Sequence, residues 1–253
     1  MTLQILISTM NGTFLKRAII PPSDFILINQ SDLEKPTDVN KKNIFHFKER
    51  GLSKSRNHAI GQSSGDICLI SDDDLGYIDT IKKTITESFE KHTDADIITF
   101  QVETPDGKPY KKYKKEKFWH TKKSIMSVSS VEIAFRLKSI RQKKLKFDEK
   151  FGLGSDFPTG EEIIFLTDAL KKGLKILYVP IPIVIHPLES SGKNYDNIPL
   201  IRAKGAMFYR IFGFLGYIAS ALFAYKKYKF SPFSFKEFSF MILEGITQYR
   251  RTL

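Results

Sequence analysis

Residues 48–74 read KERGLSKSRNHAIGQSSGDICLISDDD. The apolar run at 67–70 follows Gly65 and Asp66 and leads into three consecutive aspartates. An apolar run of this length predicts a buried strand, and the longer segment before it predicts a helix near 52–63. A helix that leads into a buried strand is a building unit of layered α/β domains, so this stretch indicates an α/β fold.

The same alternation of short apolar runs and helix-length amphipathic segments continues on both sides of this stretch. Residues 125–137 are compatible with a strand followed by a short helix, although their periodicity is ambiguous. A turn-rich connector at 190–197 predicts a division into an α/β domain, 1–197, and a helical extension, 198–253. Strands are predicted near 3–8, 25–29, 43–47, 67–71, 96–102 and 176–185, and further helices near 78–91 and 161–173.

Composition argues against several classes of protein. The 253 residues are 42% hydrophobic and 27% charged, which disfavours a disordered, collagen-like or polytopic membrane chain. One cysteine, Cys68, permits no internal disulfide and no four-cysteine zinc site, and indicates a reducing compartment. The N-terminal residues lack the basic segment of a secretory signal. The best uninterrupted apolar stretch, residues 211–225, is shorter than a membrane span requires.

The net charge of +12 is concentrated in two places. Residues 104–123, which contain the basic loop at 108–123, carry eight basic and two acidic side chains, and residues 200–253 carry nine and two. Such patches suit nucleic acid, an anionic membrane or a phosphorylated substrate, and a charged loop is also commonly only solvated. Aromatic residues between the lysines, among them Tyr113 and Trp119, can stack on sugar or lipid while the lysines offset phosphate charge. We expect a lipid that carries phosphate or a membrane surface, and no nucleic acid.

Residues 198–253 differ in character from the rest of the chain. Aromatic and small side chains dominate as far as residue 225, and five phenylalanines follow between Phe230 and Phe240. Ser234 and Glu237 have capping-box spacing and predict the start of a final helix. Aromatic and aliphatic residues flanked by lysine and arginine suit a helix in the headgroup region of an anionic membrane. Ordinary packing on the first domain, or a homodimer interface, would use the same composition.

Asp72, Asp73 and Asp74 follow the predicted strand at 67–71. Side chains two residues apart on an extended segment project to one side, so Asp72 and Asp74 can share a ligand while Asp73 points elsewhere. Two carboxylates that face one way repel each other. A hard divalent cation, Mg²⁺ or Mn²⁺, relieves this repulsion and can also bind a diphosphate. The alternative is a solvated turn or the first turn of a helix.

Three sequence blocks, in this order, resemble the inverting family 2 glycosyltransferases with the GT-A fold. The matching residues are Arg56-Asn57, Gly65-Asp66 and the aspartate triplet, then FDEKFG at 147–152 with GEE at 160–162, and YVP at 178–180 with VIHP at 184–187. The resemblance covers residues 3–190 and leaves out the tail. It implies a Rossmann-like, nucleotide-binding mixed sheet flanked by helices, followed by a C-terminal helical, aromatic-rich extension.

The resemblance also implies roles for individual residues. Asp74 would be the principal ligand of Mn²⁺ or Mg²⁺, and Asp72 would contact the ribose or the metal shell. Where the family often has paired aspartates at the second strand, this chain has Gln30, whose amide can still read uracil. The implied nucleotide-binding residues are Ser8, Thr9, Asn11, Gln30, Arg56, Asn57, Asp72, Asp73, Ser190 and Ser191. The last two belong to a segment that either closes over the diphosphate or serves as a connector.

The catalytic base is expected in the acidic pair Glu161 and Glu162. The family's usual Glu-Asp pair maps the base onto Glu162, and Glu161 is the second candidate. Thr159 and Glu162 also have capping-box spacing, so either glutamate can be purely structural. His186 ends a strand before a proline and is either a metal ligand, as in some GT-A enzymes, or a structural imidazole.

The function expected from these residues is that of a metal-dependent glycosyltransferase. It would transfer a sugar, with inversion, from a nucleoside diphosphate sugar, first of all a UDP-sugar, to a hydroxyl of a surface glycan. The expected acceptor is carried on polyprenyl diphosphate, as in lipopolysaccharide or capsule assembly, and the enzyme is expected to be cytoplasmic and peripheral on the inner face of the cell membrane. The competing class is a non-catalytic basic protein that binds nucleic acid or membranes, for which neither metal dependence nor nucleotide-sugar binding is expected.

Overall fold

The structure, a computed structural model, describes residues 1–12, 21–32, 42–187 and 195–253. Within these residues, nine strands form a single sheet. In chain order the strands are β1 (Leu3–Met10), β2 (Asp24–Gln30), β3 (Ile44–Phe47), β4 (Ile67–Asp72), β5 (Gly76–Tyr77), β6 (Ile97–Glu103), β7 (Phe118–Trp119), β8 (Ile133–Arg136) and β9 (Ile176–Ile185). Their spatial order is β3-β2-β1-β4-β8-β6-β9-β5, and β7 also pairs with β9.

The sheet is mixed. β1 pairs in parallel with β2 and with β4, and β2 pairs in parallel with β3. β8 is antiparallel to both β4 and β6, whereas β6 and β9 are parallel. Nearly every residue of β1 and β4 is buried, because strands in the middle of a parallel sheet are covered on both faces.

The helices lie close to the predicted positions. They are α1 (Leu52–Gln62), α2 (Ile81–Lys91), α3 (Leu137–Gln142), α4 (Glu161–Lys171), α5 (Ile198–Phe212), α6 (Gly216–Lys227) and α7 (Phe235–Arg250). The ambiguous segment 125–137 contains two 3₁₀ turns, Ser124–Ser127 and Ser130–Glu132, before it enters β8 and then α3. A strand followed by a short helix is therefore present, but it starts later than the apolar residues indicated.

The chain forms two compact units. The first comprises Met1–Arg50, Lys54–Lys146 and Phe165–Leu188, and it contains the sheet. Its core includes Ile5, Leu69 and Phe100, which have no exposed surface. The second unit groups the tail with earlier residues and comprises Gly51–Ser53, Phe147–Ile164 and Glu189–Leu253.

In the second unit, two glycines allow α5 and α7 to pack closely. A Cβ on Gly205 would lie 2.0 Å from the carbonyl oxygen of Ile242, and one on Gly245 would lie 1.8 Å from that of Arg202. Both distances are far below van der Waals contact, so the backbones meet only because these positions lack side chains. Arg202 also forms an ion pair of 2.8 Å with Glu244 across the same contact.

The capping box predicted for the final helix is confirmed. Ser234 Oγ accepts a hydrogen bond from the backbone N–H of Glu237, and the Glu237 carboxylate accepts one from the Ser234 N–H over 2.9 Å. Phe238, one residue further on, is fully buried beside Ile201 and Ile242. The cap therefore fixes where α7 begins, and Phe238 fixes the helix in the core of this unit.

By length and composition alone, the helical run Ile198–Phe230 could cross a membrane. The apolar stretch 211–225 is only part of this run and by itself did not predict a span. Within this run, Gly213 has a φ of 58° and separates α5 from α6. Eight residues of α5 are buried, which is typical of a core helix. The features that resemble a membrane span are therefore divided between a buried helix and a second, more exposed one.

The glycine contact predicts opposite effects for the same substitution at two sites. Gly245→Ala should lower the free energy of unfolding by about 1–3 kcal/mol, because the added methyl forces α5 and α7 apart. Gly61→Ala in α1 should raise it by about 0.5–1 kcal/mol, since alanine favours helix and nothing lies within 4 Å of its Cβ. Urea denaturation of both variants measures this, and a Gly245→Ala variant as stable as the parent would contradict the close packing.

Candidate active site

The carboxyl ends of β1, β2 and β4 meet at one edge of the sheet because these strands are parallel. Ser8 of β1 lies opposite Asp72 of β4 in the ladder. The Ser55 hydroxyl donates to Ser8 Oγ over 2.8 Å, and the Thr9 hydroxyl donates to Asp73 Oδ2 over 2.6 Å. The structure thus brings the two hydroxyl residues and the first two aspartates together where open α/β sheets bind ligands.

Arg56 pairs with Asp72 at this edge. Its side chain is 2% exposed, and its Nη2 lies 2.9 Å from Asp72 Oδ1, while a third of the Asp72 side chain remains exposed. A buried guanidinium needs a charged partner, because an unpaired buried charge is costly. Arg56 is therefore buried against Asp72 and fixes the position of that carboxylate. Asn57, the next residue of α1, is half-buried.

Asp74 takes a different partner from Asp72. The short strand β5 pairs with the end of β9, with Gly76 opposite Ile185. This pairing brings His186, the residue that follows β9, close to Asp74. Asp74 Oδ2 lies 3.6 Å from His186 Nε2. His186 Nδ1 lies 2.6 Å from the carbonyl oxygen of Pro187, which can only accept, so Nδ1 carries the proton in this contact.

Asp74 and His186 form a donor set that fits a divalent cation. In nucleotide enzymes Mg²⁺ typically takes one or two carboxylates and completes its shell with phosphate oxygens and water. No group of three or more His, Cys, Asp or Glu side chains that could hold a metal ion is present within the described residues. A diphosphate would therefore have to supply several ligands. The backbone contact on His186 Nδ1 is typical of a metal-ligating histidine, because it fixes the tautomer.

The end of β2 differs from the expected base-reading arrangement. Gln30 is buried, and its Nε2 lies 3.4 Å from Glu49 Oε1, the same oxygen that lies 2.9 Å from His58 Nε2. The Gln30 carbonyl accepts a hydrogen bond from the N–H of Asn11, which has a left-handed φ of 54°. The side chain of Gln30 thus faces protein groups, and its backbone holds the turn after β1.

Asn29 is a residue of this site that the sequence reasoning missed. It accepts a hydrogen bond from the Gly12 N–H over 2.8 Å, and its Nδ2 lies 3.0 Å from His46 Nδ1 on β3. Adjacent residues of a strand point to opposite faces, so Asn29 and Gln30 cannot serve the same side of the sheet. The strand register, which places Asn29 opposite His46, is the signal that could have identified this pair.

The acidic pair Glu161 and Glu162 lies in the second unit, at the N-terminus of α4. Gly160 enters the helix with a φ of 96°, a conformation that favours glycine. Glu161 is 6% exposed, and a Cβ on Gly152 would lie 3.4 Å from its carboxyl carbon. Glu162 is half-buried. Glu162 is therefore the more accessible acid, and both carboxylates are favoured by the positive end of the α4 dipole.

The basic loop is anchored to the first unit by a buried carboxylate. Lys111 Nζ lies 2.5 Å from Glu132 Oε1, and the Tyr113 hydroxyl donates to the same oxygen over 2.9 Å. Burial raises the pKa of Glu132, while the positive charge of Lys111 acts in the opposite direction. The ion pair therefore compensates a charge that would otherwise be costly to bury.

A histidine provides a second anchor for the basic loop. His120 is buried, its Nε2 lies 2.8 Å from Thr99 Oγ1, and its Nδ1 lies 3.0 Å from Ser124 Oγ. Burial lowers the pKa of His120 to about 4, so this imidazole is neutral at physiological pH. The lysines between and after the anchors point outward. The exposed ones are Lys112, Lys114, Lys115, Lys117, Lys122 and Lys123.

Of the other predicted site residues, Ser190 and Ser191 lie outside the described part of the chain.

Solved structures with a similar fold include three of TarS from S. aureus. A fragment spanning residues 1–349 in complex with UDP-GlcNAc has a TM-score of 0.57 at 15% sequence identity, over 91% of this chain and 74% of that one. The same fragment in complex with UDP has a TM-score of 0.55 at 15% identity, over 89% and 70%. The longer TarS structure gives 0.56 at 15% identity, over 92% of this chain and 44% of that one. Together with the mixed sheet, this likeness confirms the expected GT-A fold.

The sequence was also compared with curated proteins and with models of protein families. No curated protein matches the chain. A family model, described as glycosyl transferase family 2, matches residues 31–160, just over half of the chain. The match contains the Arg56–Asp72 pair, the aspartate triplet and the segment that leads to the acidic pair. The chain belongs to glycosyl transferase family 2.

Proposed function

We propose that the chain transfers a sugar, with inversion, from a UDP-sugar to a hydroxyl acceptor, and that the reaction depends on Mn²⁺ or Mg²⁺. The observation that carries this proposal is the Asp74–His186 pair beside the Ser8–Asp72 edge of the sheet, in a family 2 glycosyltransferase. The choice of uridine is supported by the TarS structures of similar fold, which were determined with UDP and with UDP-GlcNAc.

On the donor side, each residue has a distinct task. Ser8 and Thr9 line the nucleoside pocket, and Asp72, held by Arg56, accepts hydrogen bonds from the ribose hydroxyls. Asp74 and His186 hold the cation. When bound, the cation supplies Lewis-acid stabilisation of the departing diphosphate. Asp73 is held to β1 by Thr9 and keeps the triplet in place.

On the acceptor side, Glu162 is the general base. It takes the proton of the acceptor hydroxyl as that oxygen attacks the anomeric carbon, while the bond from this carbon to the diphosphate oxygen breaks on the opposite face. The products are an inverted glycoside, UDP and a protonated Glu162, which returns its proton to water. Glu161, which is more buried, keeps a structural role beside Gly152.

The proposed metal site predicts metal-dependent binding of UDP. Calorimetric titration should show tighter binding of UDP with Mn²⁺ than without it. Asp74→Asn should weaken the Mn²⁺-dependent affinity by about tenfold or more, as loss of a metal contact does. Asp79→Asn removes an exposed acid nearby and should leave UDP binding unchanged.

Equal UDP affinity with and without Mn²⁺ in the parent chain would contradict the metal site. Absence of UDP binding altogether would favour the competing class, a non-catalytic basic protein. Titration with other nucleoside diphosphates in the same experiment tests the choice of uridine.

The two glutamates predict different kinetic outcomes. Glu162→Gln should lower kcat by about 10²- to 10⁴-fold, the usual contribution of a general base, while the KM for the donor stays close to that of the parent. Glu161→Gln should retain much more activity, because its carboxylate is buried. Steady-state hydrolysis or transfer assays on both variants decide this, and near-normal turnover of Glu162→Gln would assign the base to Glu161.

The acceptor we propose is a growing surface glycan on polyprenyl diphosphate, as in lipopolysaccharide or capsule assembly. The basic loop supports it, because buried anchors at Glu132 and His120 hold a row of exposed lysines in place. Trp119 is also exposed at the edge of the sheet, with Lys175 near its ring. Lysines offset the charge of a diphosphate, and aromatic rings stack on sugar or on lipid.

The tail supports a peripheral position on the inner face of the cell membrane. The small residues Gly216, Ser220 and Ala224 are the buried face of α6. Large apolar residues, by contrast, point to solvent at helical spacing. They are Leu215, Ile218, Leu222 and Tyr225, preceded by Phe214, which is 81% exposed. An apolar stripe turned outward, with Lys226 and Lys227 at its end, fits an anionic membrane surface. A homodimer is the other arrangement that would cover it.

The outward stripe predicts binding to anionic vesicles. The full chain should float with phosphatidylglycerol vesicles and float less well with phosphatidylcholine vesicles. Phe214→Ser combined with Leu222→Ser should abolish flotation without loss of stability, since both side chains are exposed. Leu153→Ser, the matched change at an exposed leucine outside the stripe, should keep it. A chain that stays in the bottom fraction of the gradient, and that elutes as a stable dimer in size-exclusion chromatography, would assign the stripe to subunit contact.

A further inference from the structure

A lysine from α5, the first helix of the C-terminal extension, reaches the turn that carries the acidic pair. Lys204 Nζ donates to Thr159 Oγ1 over 3.2 Å, two residues before Glu161. One helical turn further along α5, Met207 packs against Gly160, where an added Cβ would lie 2.7 Å from the methionine sulfur. Residues three apart share one face of a helix. α5 therefore presents both side chains to the N-terminal turn of α4, and all of these residues belong to the second unit.

The charge of Lys204 is matched to the acidic pair. Burial lowers the pKa of Lys204, and the negative charges of Glu162 and, to a smaller degree, Glu161 act in the opposite direction. A buried ammonium is retained only where partners compensate the loss of water. Two adjacent carboxylates repel each other in the same way as in the aspartate triplet, and here a lysine supplies the compensating charge.

The other basic residues of α5 have different partners. Arg202 pairs with Glu244 of α7, and Arg210 Nε lies 2.8 Å from Asp148 Oδ2. These ion pairs fix the two flanks of α5, so Lys204 is held between them at a defined position and rotation. A helix fixed in this way can hold the Lys204 ammonium accurately against Thr159, in the turn that precedes the acidic pair.

We infer that Lys204 is a positioning residue of the transfer reaction, which holds in place the turn that carries the Glu162 carboxylate. This role rests on the proposed function of Glu162 as general base. It gives α5 a part in catalysis in addition to its packing. The resemblance to the glycosyltransferase family ends before this helix and assigns Lys204 no role.

The test compares two substitutions of Lys204. Lys204→Met keeps the length of the side chain and removes its charge, so kcat for hydrolysis of a UDP-sugar should fall about 10- to 100-fold, as for a misplaced catalytic group. The KM for the donor and the affinity for UDP should stay near the parent values. Lys204→Arg keeps the charge and should recover most of the lost kcat. Lys138→Met makes the same change at an exposed site on α3 and should leave kcat unchanged.

Several outcomes would overturn the role of Lys204. Parent-like kcat in Lys204→Met would do so directly. Equal losses in both variants, together with weaker UDP binding and a lower melting temperature, would show that Lys204 only supports packing. A parent chain that binds UDP but turns over no UDP-sugar would instead refute the proposed function, and the role of Lys204 with it.

Discussion

Parallel pairing of β1 with both β2 and β4 is the constraint on which the rest of this structure depends. It places the carboxyl ends of three strands at one edge, so that Ser8 faces Asp72 and the aspartate triplet leaves the sheet beside Thr9. Because side chains alternate along a strand, a register shift of one residue would turn Ser8 and Asp72 to the other face. The buried apolar residues of β1 and β4 oppose that shift, since each would have to be repacked on the opposite, equally filled face.

Compensation of charge recurs in both units. Several cations are paired with a carboxylate of defined position, in the pairs Arg56–Asp72, Lys111–Glu132, Arg202–Glu244 and Arg210–Asp148. Breaking a buried pair of this kind leaves an uncompensated charge, which is strongly destabilising. The remaining excess of basic residues lies outward, on the basic loop and at the end of α6. The net charge of +12 thus divides into cations that fix the structure and cations that are available to an anionic partner.

Much of the fold could be predicted from the sequence, because continuous apolar runs such as 67–70 require burial on both sides. The contact of Asp74 with His186 could not be derived from local pattern, since it depends on β5, a strand of only two residues, pairing with the distant end of β9. The partner of Arg56 was missed for a related reason, because a helix residue and a strand residue meet only after packing. Asn29 was not considered at the level of sequence, because the register that places it opposite His46 is visible only once β2 and β3 are paired.

The proposed function requires that the edge of the sheet bind a cation and uridine diphosphate between Ser8 and His186. Anomalous diffraction from crystals grown with Mn²⁺ and UDP tests this most directly. We expect a manganese peak bonded to Asp74 and His186, with diphosphate oxygens in its shell and the ribose against Asp72. A manganese ion bound elsewhere, or UDP bound away from the carboxyl ends of β1 and β4, would contradict it.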